Sequence, residues 1–131
     1  MAPTGVSRRE ARRAAVFILF QWDVTDRPLG SLYEGEVDEY TQRLAQAVSE
    51  HAAELDARIT EASDEWTADR LGAVERNVLR VALEELDERE VPLEVVLDEA
   101  VTLAKRYASE DAARLVNGIL GRIVREEEQE N

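Results

Sequence analysis

Apolar positions recur every three or four residues along almost the whole chain, the period of helices with one buried face, and the breakers fall between the periodic stretches. The first stretch follows Ser7, which with Glu10 three residues on forms a capping box and predicts a helix running to about Asp23. Pro28, Gly30 and Gly35 break the chain and leave room for one short helix over 29–34. Tyr40, Leu44, Ala47, Val48 and His51 predict a helix over 37–53, and Leu55 and Ile59 a shorter successor over 55–62. After a helical or irregular link over 64–71, Val74, Val78, Leu79, Val81, Ala82 and Leu86 predict a helix over 74–87, with an apolar arc wide enough for a central position. Pro92 stands where a first-turn proline is tolerated, ahead of a helix carried by Val95, Val96, Glu99, Ala100, Leu103, Ala104 and Tyr107 to about Ala108. Ser109 is a natural N-cap for the last helix, whose core stripe is Ala112, Val116, Ile119, Leu120 and Ile123.

No stretch alternates with the period of a strand and nothing repeats. The expected fold is all-α: a compact single domain over 1–131, a bundle of about seven helices, with 1–6 and 127–131 as loose tails. A chain of 131 residues can bury a core without staples. It has no cysteine, so no disulfide framework, thiolate metal site or thiol nucleophile is available, and a cytoplasmic setting fits.

Charge changes this picture at one end. The net charge is −13, which opposes indiscriminate nucleic-acid binding. Yet Arg8, Arg9, Arg12 and Arg13 face only Glu10 within the first 22 residues, so the positive charge is segregated from an acidic body. The apolar run "AAVFILF" that follows is too short for a membrane span, and "QWDVTDRPLG" after it offers no small-residue cleavage site of an export signal. On the first helix Ala11, Ala14, Ala15, Ile18, Leu19 and Trp22 form a core face. Arg9, Arg13, Val16 and Phe20 make a second stripe, flanked by Arg8, Arg12 and Phe17. Positive charge at a helix start opposes the helix dipole. Two readings stay open for the stripe: arginines gripping phosphates beside a ring that stacks on an unpaired base, or apolar residues buried in the core or against a second copy. Gly118 and Gly121, on a face of the last helix with Arg114 and Arg125, admit either close approach of a ligand or tight helix packing.

Catalytic patterns are missing: no glycine-rich phosphate loop, no His-x-x-x-His, no Gly-x-Ser-x-Gly. The single histidine, His51, reads as structural or solvent-facing, and the carboxylates sit three or four residues from Arg or Lys as on solvated faces. Neither an enzyme, a metal site nor a cofactor is expected.

"RLGAVERNVLRVALEEL" (70–86), "VPLEVVLDEAVTLAKRYASEDA" (91–112) and "LVNGILGRI" (115–123), in this order after an arginine-rich helix ending in Trp22, resemble the NusB family of transcription antitermination factors. The resemblance is weakest over 25–68. It implies an all-helical fold of two packed subdomains and no enzymatic activity. It also implies binding of the boxA element of nascent ribosomal RNA together with NusE, a small-subunit ribosomal protein, within a complex on RNA polymerase that suppresses premature termination. Its RNA-contacting arginines fall on Arg8, Arg9 and Arg12, its first-helix ring on Phe20, and further contacts on Tyr107, Asp111 and Arg114, with Glu75 beside the same surface. Phe20 stands where tyrosine is common, and Leu115 where phenylalanine is expected. On this reading Arg9→Ala with Arg12→Ala weakens boxA binding and flattens its salt dependence without unfolding the protein. Two rivals remain: a homodimer that occludes the RNA surface, and the RNA-binding domain of an rRNA methyltransferase, for which 1–131 carries no cofactor-binding domain.

Overall fold

In the computed structural model, which describes residues 6–130, five α-helices and two 3₁₀ turns account for the ordered elements, with no strand among the described residues: α1 (Arg8–Thr25), α2 (Glu39–Ala62), α3 (Ala73–Glu88), α4 (Leu93–Tyr107) and α5 (Glu110–Glu130). The fold is all-α as expected, with five helices rather than about seven. Half of the difference lies in α2, expected as two helices and formed as one of 24 residues. No glycine or proline stands between Gly35 and Gly72, and Leu44, Val48, Leu55, Ile59 and Ala62 keep one buried face through Ala52 and Ala53. The short helix over 29–34 is a 3₁₀ turn, Leu29–Leu32, and the link over 64–71 holds another, Ala68–Arg70. Residues 127–130, expected as a loose tail, continue α5; of the other expected tail, residues 1–5 lie outside the described residues, as does Asn131.

Local chemistry sets the ends. The Ser7 hydroxyl accepts the Glu10 N–H (3.1 Å) at the start of α1, and the Ser109 hydroxyl accepts that of Ala112 (2.9 Å) at the start of α5. Asp38 caps α2 through Tyr40 N–H (3.0 Å). α1 and α3 each stop at a residue in the left-handed region, Asp26 (φ 57°) and Arg89 (φ 59°), whose N–H closes back onto the helix.

α3 lies at the centre, touching every other helix. Nine consecutive residues, Asn77 to Glu85, are buried, so its polar side chains must find partners inside the bundle. They form a seam facing α1 and α2. Asn77 donates to Asp23 (2.9 Å), Arg80 holds Asp56 with two bonds (2.7 and 2.6 Å), and Glu84 meets His51 Nδ1 at 2.8 Å. The seam fixes where α1 and α2 sit along α3, because sliding either helix by one turn would strand buried charge.

His51 keeps half its side chain in solvent while Glu84 is 6% exposed. The hydrogen bond and charge of Glu84 raise the imidazole pKa above its ordinary value. A raised folded-state pKa means the contribution is complete below the unfolded pKa of about 6.5 and is lost as pH climbs through the higher folded value. His51→Gln should therefore lower the thermal midpoint most in mildly acidic buffer, with the gap to the parent closing above neutrality. A gap that stays constant with pH would show that the charged pair adds nothing.

Candidate nucleic-acid interface

The arginine-rich start of α1 lies over α3 and α4, and each of its four arginines has a different fate. Arg12 is 4% exposed. Its Nε and Nη2 donate to the two carboxylate oxygens of Glu85 (2.5 and 3.0 Å), and Tyr40 from α2 donates its hydroxyl to the same carboxylate (2.5 Å). Burial opposes charge on Arg12, but pairing with Glu85 outweighs it and holds the guanidinium pKa above its usual value. Burial and the adjoining carboxylate likewise push the Tyr40 phenol well above its ordinary range, so it remains a donor. Arg12 is thus committed to the fold, which corrects its expected placement on an open RNA-gripping surface. The reason was present in the sequence: Arg12 precedes Ala15, Val16 and Leu19 by three, four and seven residues, which puts it on the buried face.

Arg9 reaches Glu99 on α4, with Nε donating to Oε1 at 2.8 Å, yet its side chain stays 76% exposed. Glu99 itself is buried and stands 3.9 Å from Arg12 as well. Arg8 lies over the Tyr40 ring, 3.9 Å from its centroid. Arg13 is half-buried and makes no hydrogen bond or ion pair with the described residues. Two of the four cations are therefore neutralised by Glu85, read from sequence as a solvated carboxylate, and by Glu99, which the spacing puts on the periodic face of its helix. Arg8 and Arg13 carry the surplus charge, and Arg9 is exposed but tethered.

Further along α1 the surface turns apolar. Val16 is buried, which settles it as core; Phe17 is exposed at its rim and packs edge-on against Tyr107 at the end of α4 (centroids 4.8 Å apart). Phe17, Phe20, Val74, Val78 and Tyr107 line, with Val16, a recess of about 160 Å³. Arg9, Arg13 and the recess lie along one side of α1: from Arg9 to Phe20 the helix advances about 16 Å at 1.5 Å per residue.

The remaining expected residues border this surface. Glu75, in the first turn of α3 next to Val74, folds its carboxylate back over Gly72, where a Cβ would stand 2.5 Å from Oε2; glycine makes room for an acid that complements the helix N-terminus. Asp111 and Arg114 pair with each other on the exposed first turns of α5, four and seven residues beyond Tyr107. The structure thus brings Arg9, Arg13, Phe20 and Tyr107 to one side of α1, with Arg8 at the helix start turned over Tyr40 of α2. It adds Phe17, which the sequence left open, and places Tyr40, Glu85 and Glu99 beneath them as supports that no local pattern revealed.

The NusB family model matches residues 9–125. The transcription antitermination protein NusB of Solibacter usitatus is 37% identical, covering 95% of this chain and 93% of its own. That of Rubrobacter xylanophilus is 42% identical over 88% of each. A chain from the crystal structure of antitermination factors NusB and NusE in complex with dsRNA superimposes with a TM-score of 0.81 at 32% identity, covering 91% of this chain and 96% of that one. With the family match running from α1 into α5 and full-length relatives above 30% identity, the chain belongs to the NusB family.

Proposed function

We propose that this chain is a transcription antitermination factor that binds the boxA element of nascent ribosomal RNA together with NusE, within a complex on RNA polymerase that suppresses premature termination in the cytoplasm. It acts by binding rather than by catalysis. The observation that carries the reading is the juxtaposition on α1: exposed or unpaired arginines at one end, and at the other an apolar recess rimmed by Phe17, Phe20 and Tyr107. Phosphate neutralisation supplies affinity, and aromatic surface takes bases that a single strand leaves unstacked. An apolar cavity of about 150 Å³ accommodates one benzene-sized ring, so the recess suits a single base edge or face rather than a duplex. A basic ribosomal protein complements the acidic remainder of the chain, and a related NusB has been crystallised with NusE and dsRNA.

The test is a titration of labelled boxA RNA, with and without NusE, against a scrambled RNA of equal length. Binding should favour boxA and tighten when NusE is present. Equal affinity for both RNAs in the presence of NusE would overturn the assignment.

A further inference from the structure

A second groove, of about 400 Å³, lies between α5 and the segment that joins α2 to α3. Trp66 stands in it with 45% of its surface exposed, facing a wall formed by Arg114, Leu115, Gly118, Arg122 and Arg125. Its first peculiarity is Gly118. Glycine inside a helix costs about 1 kcal/mol relative to alanine, and a Cβ built there would meet nothing within 4 Å. Among the described residues no helix packs on that face, so the close-packing reading of Gly118 is not what the fold uses it for. The bare backbone is open to something outside the chain.

The second peculiarity is charge. Three arginines, Arg114, Arg122 and Arg125, line the groove with Asp64 and Glu65, and Asp111 and Glu126 stand beside them as exposed partners. Arg114 is engaged only by Asp111, and Arg122 only by exposed Asp64, Glu126 and a backbone carbonyl. Exposed pairs of this kind are worth little and open readily to a phosphate. Arg125 has no ion pair or hydrogen bond among the described residues. Cations flanking an accessible aromatic ring and a bare stretch of backbone suit single-stranded nucleic acid.

Arg114 joins this groove to the first interface, since with Asp111 it opens α5 directly after the turn that follows Tyr107. From Arg114 to Arg125 the helix advances about 16 Å. We infer that the Trp66–Gly118 groove is a second RNA-binding segment, in which a strand leaving the α1 surface past Tyr107 and Arg114 lays its backbone over Gly118, its phosphates against Arg122 and Arg125, and one base on Trp66. The inference rests on the RNA reading of α1 and extends its footprint along α5.

The experiment compares a short boxA RNA with the same RNA extended by several nucleotides at both ends, each titrated in a Trp22→Phe background so that Trp66 is the sole tryptophan reporter. The extended RNA should bind about tenfold more tightly, the value of one stacked base, and quench Trp66, whereas the short RNA should leave its emission unchanged. Arg125→Ala and Gly118→Leu, the latter filling the groove while favouring the helix, should each erase the gain from length and spare the short RNA. Equal affinity for the two RNAs with unchanged Trp66 emission would overturn the inference while leaving the α1 reading intact. So would variants that weaken NusE binding and not the extended RNA, which would make the groove a protein-docking surface. If the parent protein binds neither RNA, the α1 reading falls and this inference with it.

Discussion

Arg12→Ala should lower the free energy of unfolding by about 3–5 kcal/mol, the range for removing one partner of a buried ion pair. The substitution leaves Glu85, 1% exposed, with only the Tyr40 hydroxyl to meet its charge at short range. Urea unfolding at neutral pH measures the loss. The triple variant Arg12→Met, Glu85→Leu, Tyr40→Phe, which replaces the whole buried cluster by apolar groups, should regain most of it, since a buried pair rarely outperforms well-packed hydrophobic residues of similar volume. A cost below about 1 kcal/mol for Arg12→Ala would mean that Glu85 is solvated or protonated without its partner. Pairing Arg9→Ala with Arg12→Ala is therefore a poor probe of RNA binding, because its effect on affinity would be mixed with unfolding.

What was legible in the sequence, and what was not, divides by range. Ser7 and Ser109 were readable as caps because a cap and the N–H it satisfies lie three residues apart. The central place of α3 was readable from its wide apolar arc. α2 was split because Ala52, Ala53 and Glu54 weaken the apolar stripe, although none of them breaks a helix. Glu84 and Glu85 were read as solvated because the local rule looks three or four residues away, and Glu99 lay on a periodic face with no partner in sight, whereas the three meet partners 33, 73 and 90 residues distant in the chain. Arg12 shows the opposite failing: its phase on α1 marked it as buried, and its charge drew the eye to the surface. At the interface, the arginine and aromatic composition of α1 was visible early. Which arginine is neutralised, and which ring rims the recess, depends on α3 and α4 arriving alongside, and that follows only from the assembled bundle.

Arg8→Ala with Arg13→Ala separates function from folding, because it spares both buried carboxylates: Glu85 keeps Arg12 and Glu99 keeps Arg9. Arg8 occupies the first position of α1, where positive charge opposes the helix dipole by about 0.3–1 kcal/mol. Its stacking on Tyr40 returns a similar amount, about 0.5–1 kcal/mol at an exposed site. Removing it should therefore leave stability within about 1 kcal/mol of the parent. RNA affinity should behave differently. Each arginine that binds a phosphate contributes a charge-assisted hydrogen bond worth about 1.5 kcal/mol or more, roughly tenfold in affinity. The double variant is expected to bind boxA RNA on the order of a hundredfold more weakly, and the slope of log affinity against log salt should fall by about 1.4, or 0.7 per lost contact on a single strand. Measurement at four or five salt concentrations, beside urea unfolding, tests both halves. Weaker binding with an unchanged salt slope would show that the arginines shape α1 without touching phosphate. Unchanged affinity would move the RNA off this end of the helix altogether. A fall in affinity and slope together, at constant stability, is the signature of side chains kept at an unfavourable place on a helix because an anion is to be bound there.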